Sequence, residues 1–360
     1  MKTITFILEN IYFFLSGEKL RWLYLFLFAF LITFLLTPLM RYIATRLKVL
    51  DIPEKRKIHK NPIPLLGGSA IYLSYISVIF LNFSFSIELK GIVIGGTIVF
   101  LTGLIDDIKG GIPASWKLLA QTGAFLTLVL CGVKLSFLPN TWWGNAGEII
   151  LTFIWVVGIT NAVNFFDGMD GLATGLAAIG SLSFFLVAFI TGQTYLGYLT
   201  IALAGSCLGF LEFNFKPATI FLGDAGSTFL GFTLAGIAVM GGWAENNPKV
   251  ALSLPILLLS VFIFDMIYIT VARVWDGRVR SFKEWIEYTG KDHLHHRLVS
   301  LGFSEIQAVL FIYLIAIGLG LSGVNLKAGS DLRIYLELAQ GFFIFVVIVI
   351  LMVEGKKPKK

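Results

Sequence analysis

Two adjacent carboxylates, Asp106 and Asp107, stand at the end of an apolar run and are followed by Ile108-Lys109-Gly110. An acidic pair there is costly unless paired or metal-bound, and a helix C-terminus gives it no help. It could hold a divalent cation or, with a raised pKa, act as a base. Lys117 and Gln121, four residues apart, would share one helix face near the same loop. Asn164, Asp167 and Asp170 recur every third residue in NFFDGMDG. On one helical turn they would converge, and such hard oxygen donors suit Mg2+ completed by substrate phosphates. Asp224, in FLGDAGS, suits an N-cap and equally a metal ligand or anion-facing loop. Three of the four histidines fall in Asp292-His293-Leu294-His295-His296-Arg297. No Cys or Glu completes a familiar zinc spacing, so phosphate contacts are the preferred reading over zinc. Lys55, Arg56, Lys57, His59 and Lys60 form a basic patch before a Pro/Gly-rich stretch. It could mark topology or hold a phosphate.

These residues need elements to carry them, and the composition says which kind. Of the 360 residues 57% are hydrophobic and 14% charged, whereas a soluble domain carries about 25% charged residues. That excludes a soluble globular enzyme and a disordered chain. A spanning helix needs about 20 apolar residues. Eleven such runs occur, at 21–44, 66–83, 89–105, 115–133, 147–165, 172–191, 195–212, 225–241, 249–272, 306–322 and 334–353. No period-two alternation suggests a β-barrel. The expected fold is an all-α polytopic bundle of about eleven spans, one domain over 1–360. Loops on one side carry 20 of the 28 Lys and Arg, which by the positive-inside rule puts that side in the cytoplasm. The N-terminus is then outside and the C-terminus inside, and the first residues do not read as a signal peptide.

Trp22, Trp142, Trp143, Trp243 and Trp275 fall near span ends and are expected to form an aromatic belt. Phe282, Trp285 and Ile286 suggest a short amphipathic surface helix within 281–290. Cys131 and Cys207 have no CxxC partner and read as small core residues. Asp265 is the one acidic residue deep inside a run, functional by default unless it merely pairs with a basic group.

Taken together, the EKRKIHKNPIPLLGG loop at 54–68, Asp106-Asp107, NFFDGMDGL, FLGDAGS and HLHHR resemble, in order, the motifs of the polyprenyl-phosphate N-acetylhexosamine-1-phosphate transferases. The RKIH-type first loop and His293-Leu294-His295-His296 are similar to the branch acting on N-acetylglucosamine. The branch that transfers phospho-N-acetylmuramoyl-pentapeptide shows three consecutive histidines. The resemblance implies transfer of N-acetylglucosamine 1-phosphate from UDP-GlcNAc to undecaprenyl phosphate, with release of UMP. It further implies Mg2+, with Mn2+ as substitute, at the cytoplasmic face of a bacterial inner membrane. Partners are then the two substrates and membrane lipid, no nucleic acid, and a second copy in a homodimer. By motif position Asp224 is the first metal ligand, with Asp170 sharing the metal. Asn164, Asp167 and Asp170 bind the nucleotide, and Asp106 and Asp107 activate the lipid phosphate. His293, His295 and His296 join them in catalysis, while Lys55, Arg56, Lys57, His59, Lys117 and Arg297 bind substrate phosphates. The rival class is a transporter, but its ion and substrate groups would lie near mid-membrane. Here the carboxylates cluster in loops.

Overall fold

The computed structural model describes residues 20–53, 61–243, 248–281, 284–285, 288, 290, 292–326 and 331–354. Among the described residues there are thirteen helices: α1 (Arg21–Leu47), α2 (Gly67–Asn82), α3 (Ile87–Lys109), α4 (Ala114–Leu130), α5 (Trp142–Phe165), α6 (Leu172–Ile190), α7 (Thr194–Asn214), α8 (Gly223–Met240), α9 (Pro248–Leu258), α10 (Ser260–Trp275), α11 (Leu294–Ser300), α12 (Glu305–Leu326) and α13 (Asp331–Glu354). Ten of the eleven apolar runs each lie on one helix, and the run at 249–272 is divided between α9 and α10. Among the described residues, eight helices are long and apolar enough to cross a membrane. Two shorter apolar helices, α2 and α4, have 16 and 17 residues. Multiple apolar helices of this kind describe a multi-pass membrane protein.

The run at 249–272 is not one rod. It breaks between α9 and α10 with a bend of 80°. Pro255 lies inside α9 and has no N–H to give the preceding turn, the usual origin of such a break. The lower arm, α10, carries Asp265 and Arg273, both buried.

α8 lies at the centre. Nearly every residue from Gly223 to Ala238 is buried, because it packs against α3 and α5. Close approach to α3 depends on Gly103: a Cβ there would fall 2.5 Å from the Asp224 carbonyl oxygen and 2.6 Å from Ala225 Cα. Small residues let helix backbones come together where lipid gives no hydrophobic push. This contact brings the end of α3 to the start of α8.

One piece of the fold is not helical. β1 (Leu50–Asp51) pairs antiparallel with β2 (Ile63–Pro64), with Leu50 opposite Pro64. The base of this ribbon is tied to the segment before α8: Phe221 N donates to Pro64 O (2.8 Å), Gly67 N to Phe221 O (3.0 Å) and Gly68 N to Leu222 O (2.8 Å). The expectations for Lys55, Arg56, Lys57, His59 and Lys60 lie outside the described residues.

The tryptophan belt needs one correction. Trp142, Trp143 and Trp275 are exposed, but Trp243 is 2% exposed. It packs on Phe184 and donates from Nε1 to Ala238 O at 2.8 Å, so it is a core residue. Of the proposed surface helix, Trp285 donates to Thr270 Oγ1 at 3.0 Å, while Phe282 and Ile286 lie outside the described residues.

Candidate active site

Asp106 and Asp107 occupy the last turn of α3, which closes on Gly110. The Asp107 carboxylate reaches across to the N-terminus of α8, accepting from Asp224 N (2.9 Å) and Ala225 N (3.0 Å). An acceptor from another helix thus satisfies two of the free N–H groups that every helix start presents. The geometry requires glycine at 223: its φ is +73°, and a Cβ would fall 2.6 Å from Asp107 Oδ2. Asp224, one residue on, is therefore not the N-cap. Its carboxylate is left to face Lys117 and Asn164.

Lys117 stands in the first turn of α4. Its Nζ lies 2.9 Å from Asp106 Oδ1 and also bonds Asp224 Oδ2. Asn164, in the last turn of α5, donates to Asp224 Oδ1 (3.1 Å) and to Ser227 Oγ (2.8 Å). Ile112 N donates to Asp106 Oδ1 at 2.7 Å, so the turn after α3 wraps back over that carboxylate. Gln121 lines one hollow with Lys117 and Asp224. It exchanges hydrogen bonds with Asn161 (3.2 and 2.8 Å) and so joins α4 to α5.

Asn164, Asp167 and Asp170 do not converge as a helical turn would bring them, because α5 ends at Phe165. Asn164 serves Asp224. Asp167 is half-buried beside the same cluster, and burial, then the charges of Asp224 and Asp107, push its carboxyl well above the ordinary carboxylate range. Asp170 points elsewhere, accepting from Ala218 N at 3.0 Å.

Among the described residues, one group of three or more His, Cys, Asp or Glu side chains has ligand atoms close enough to share a cation: Asp106, Asp107 and Asp224, all within 4.8 Å of one another. Among the described residues, these three carboxylates stand beside one ammonium, Lys117, which leaves an excess of negative charge. Hard oxygen donors of this type fit Mg2+ or Mn2+. Asp170 and the histidines are outside this group.

The histidine segment packs on the Asp167 loop. The His293 ring lies 5.5 Å from that of Phe165, and His295 lies 5.9 Å from Phe166. His295 also covers Gly168, where a Cβ would fall 2.9 Å from Nε2. His296 sits beside His295 at 4.3 Å between centroids. Arg297 is half-buried, and its Nε is buried without a partner among the described residues. Both ring nitrogens of His295 are in the same state. Burial, then the neighbouring His296 and His293, hold the His295 pKa well below its ordinary value. The unfolded chain then binds a proton below about pH 6.5 that the folded chain refuses, so stability falls as pH drops through that range. Thermal unfolding from pH 7.5 to 5.5 should show a smaller loss for His295→Gln than for the parent; parallel curves would refute it.

Sequence reasoning missed Ser227, Arg273 and Asp292. Ser227 stood in a motif already noted, but its bond to Asn164 arises from the meeting of α5 and α8. Arg273 carried no local signal beyond its charge, and Asp292 stood at the head of the histidine segment with no partner legible from its neighbours.

The sequence pattern of glycosyl transferase family 4 matches residues 89–242, the stretch from α3 to just past α8 that holds the carboxylate cluster. Over 323 residues the chain is 33% identical to a probable undecaprenyl-phosphate N-acetylglucosaminyl 1-phosphate transferase of Bacillus subtilis, covering 88% of this chain and 86% of that one. It is 34% identical to a decaprenyl-phosphate N-acetylglucosaminephosphotransferase of Mycobacterium leprae, covering 77% of each. It is 31% identical to a phospho-N-acetylmuramoyl-pentapeptide-transferase of Staphylococcus saprophyticus, over 74% of this chain and 85% of that one. Motif order, site geometry and these relatives agree: the chain belongs to glycosyl transferase family 4, among the polyprenyl-phosphate N-acetylhexosamine-1-phosphate transferases.

Proposed function

We propose that the protein transfers N-acetylglucosamine 1-phosphate from UDP-GlcNAc to undecaprenyl phosphate, giving undecaprenyl-diphospho-N-acetylglucosamine and UMP. The carrying observation is the Asp106, Asp107, Asp224 cluster held around Lys117, in a chain whose Bacillus relative bears the corresponding name. An oxygen of the lipid phosphate attacks the β-phosphorus. The bond from that phosphorus to the bridging oxygen breaks, and the oxygen leaves with UMP.

Four anionic phosphate oxygens must be brought to a site that is itself acidic. Asp224 and Asp106 would hold Mg2+, or Mn2+ in its place, which when bound neutralises the diphosphate charge. Lys117 is the chain's own cation at that point and supplies a donor to the phosphate oxygens. Asp107 fixes the start of α8 and hence where Asp224 points. Asn164 orients Asp224, and Asp167, whose carboxyl is pushed up by burial beside that cluster, would be the group to hold a proton for the departing phosphate. By motif position His296 and Arg297, with Lys55, Arg56, Lys57 and His59, would bind the substrate phosphates. This reading sets eleven spans in a bacterial inner membrane, with the N-terminus outside and the site cytoplasmic. The product would begin a cell-envelope glycan such as O-antigen or teichoic acid.

The test is purified full-length protein with radiolabelled UDP-GlcNAc and undecaprenyl phosphate in detergent. The expected result is a labelled lipid with equimolar UMP, abolished by EDTA and restored by excess Mg2+ or Mn2+. No labelled lipid from UDP-GlcNAc, with product from UDP-N-acetylmuramoyl-pentapeptide instead, would replace the donor. Solute flux in liposomes with no product from either would sink the transferase reading. Activity that persists through exhaustive chelation would remove the metal.

A further inference from the structure

We infer that Asp265 is a positioning residue: from the lower arm of the bent span it fixes the ring of His293, and with it the histidine segment, against the active-site loop. The inference rests on the transferase reading for what His293 does, but its geometry stands on its own.

Asp265 is 1% exposed, and both its oxygens are engaged. Oδ2 lies 2.7 Å from His293 Nδ1, and Oδ1 accepts the backbone N–H of Leu294, the first residue of α11, at 2.7 Å. A carboxylate only accepts, so Nδ1 of His293 is the donor and carries the hydrogen. The ring is thereby set in one orientation, with Nε2 3.5 Å from Arg273 Nη2. Arg273 follows Asp265 by about two turns of α10. It is 3% exposed and donates to both oxygens of Asp292, at 2.8 and 2.7 Å. Its guanidinium lies over the Tyr288 ring at 4.5 Å.

Asp265 and Arg273 thus hold Tyr288, Asp292, His293 and Leu294 against α10. A buried carboxylate and a buried guanidinium are tolerated only when fully partnered, and here the partners come from the histidine segment rather than from a neighbouring span. What they hold in place faces the site: His293 meets Phe165, next to Asn164, and His295 lies on Phe166 and Gly168. The intramembrane aspartate therefore has a task that involves no contact with substrate. It sets the ring, and the ring packs on Phe165 beside Asn164.

A merely structural role is separated from this one by a double-mutant cycle with a kinetic readout. In the full-length protein, Asp265→Asn leaves one acceptor oxygen for two donors and no charge. The expected result is a fall in kcat of about 10–100-fold with KM for UDP-GlcNAc within threefold, the signature of a misplaced group rather than lost binding. His293→Ala should fall by a similar factor. The double variant should be no slower than His293→Ala alone, because Asp265 acts through that ring. Effects that multiply, or a KM that rises while kcat holds, would overturn the proposal. Hydrogen exchange gives a second readout free of substrate. The Leu294 amide should exchange at least tenfold faster in Asp265→Asn, and unchanged exchange there would also overturn it. Should Asp265→Asn not yield monodisperse protein, Asp292→Asn carries the same cycle through Arg273, and Asp265→Glu should recover part of the rate. A parent protein without transfer from UDP-GlcNAc removes the functional reading, while exchange at Leu294 still decides the positioning.

Discussion

Asp224→Asn is expected to lower turnover at least about a hundredfold while leaving the protein folded. The substitution keeps size and the acceptor oxygen that Asn164 bonds. It removes the charge that faces Lys117 and that a hard cation requires. Loss of one element of charge stabilisation at developing phosphate charge costs about 10²–10³ in rate. Stability should change little, because the N-terminus of α8 is capped by Asp107 rather than by Asp224 itself. The measurement is UMP release across a Mg2+ titration, with thermal unfolding alongside. Near-normal kcat at saturating Mg2+ would refute the ligand role.

The second large effect separates two neighbours that look alike in sequence. Asp106→Asn and Asp107→Asn are both expected to lose at least about a hundredfold in turnover, yet their alanine variants should differ in stability. Asp107→Ala leaves the N–H groups of Asp224 and Ala225 without acceptors, and an orphaned buried donor costs about 1–3 kcal/mol. Asp106→Ala frees one turn amide, Ile112, and one lysine that keeps Asp224 as partner, so its unfolding temperature should stay close to the parent's. Differential scanning fluorimetry in detergent compares the two directly. Equal melting temperatures would refute the capping role of Asp107. A pH–rate profile adds to this: as a metal ligand Asp106 should leave its variant slow at every pH, whereas recovery as pH rises past the phosphate's second pKa of about 6 would make it the base on the lipid phosphate instead.

The helices were legible because a membrane leaves a chain little choice. Backbone groups in hydrocarbon must bond within the segment, and a run of apolar residues announces that. The bend between α9 and α10 was announced only by Pro255, which fixes a place for a break but not its angle. Asp106, Asp107 and Asp224 were each recognisable as chemistry-bearing, yet nothing local says that residues 117 positions apart meet. The signal for that meeting is Gly103, whose missing side chain admits the backbone of α8, and its partner cannot be read from its own neighbourhood. Asn164, Asp167 and Asp170 were misjudged for a related reason. Regular spacing implies convergence only on a continuing helix, and α5 stops one residue after Asn164. Trp243 was placed in a belt by position along the chain, whereas its burial follows from Phe184, a residue of another helix.

The order of these parts along the chain bears on how the protein is made. Asp106, Asp107, Lys117, Asn164 and Asp224 all precede residue 230, and the helices that carry them leave the ribosome first. The acidic platform is therefore complete as a chain before α10 is synthesised. The histidine segment arrives afterwards and has its anchor, Asp265 and Arg273, on the helix made just ahead of it. A nascent chain released early would present the carboxylates without the segment that packs on the neighbouring Asp167 loop. Assembly of the site is thus ordered by synthesis, with the last loop latched by a helix inserted only moments before.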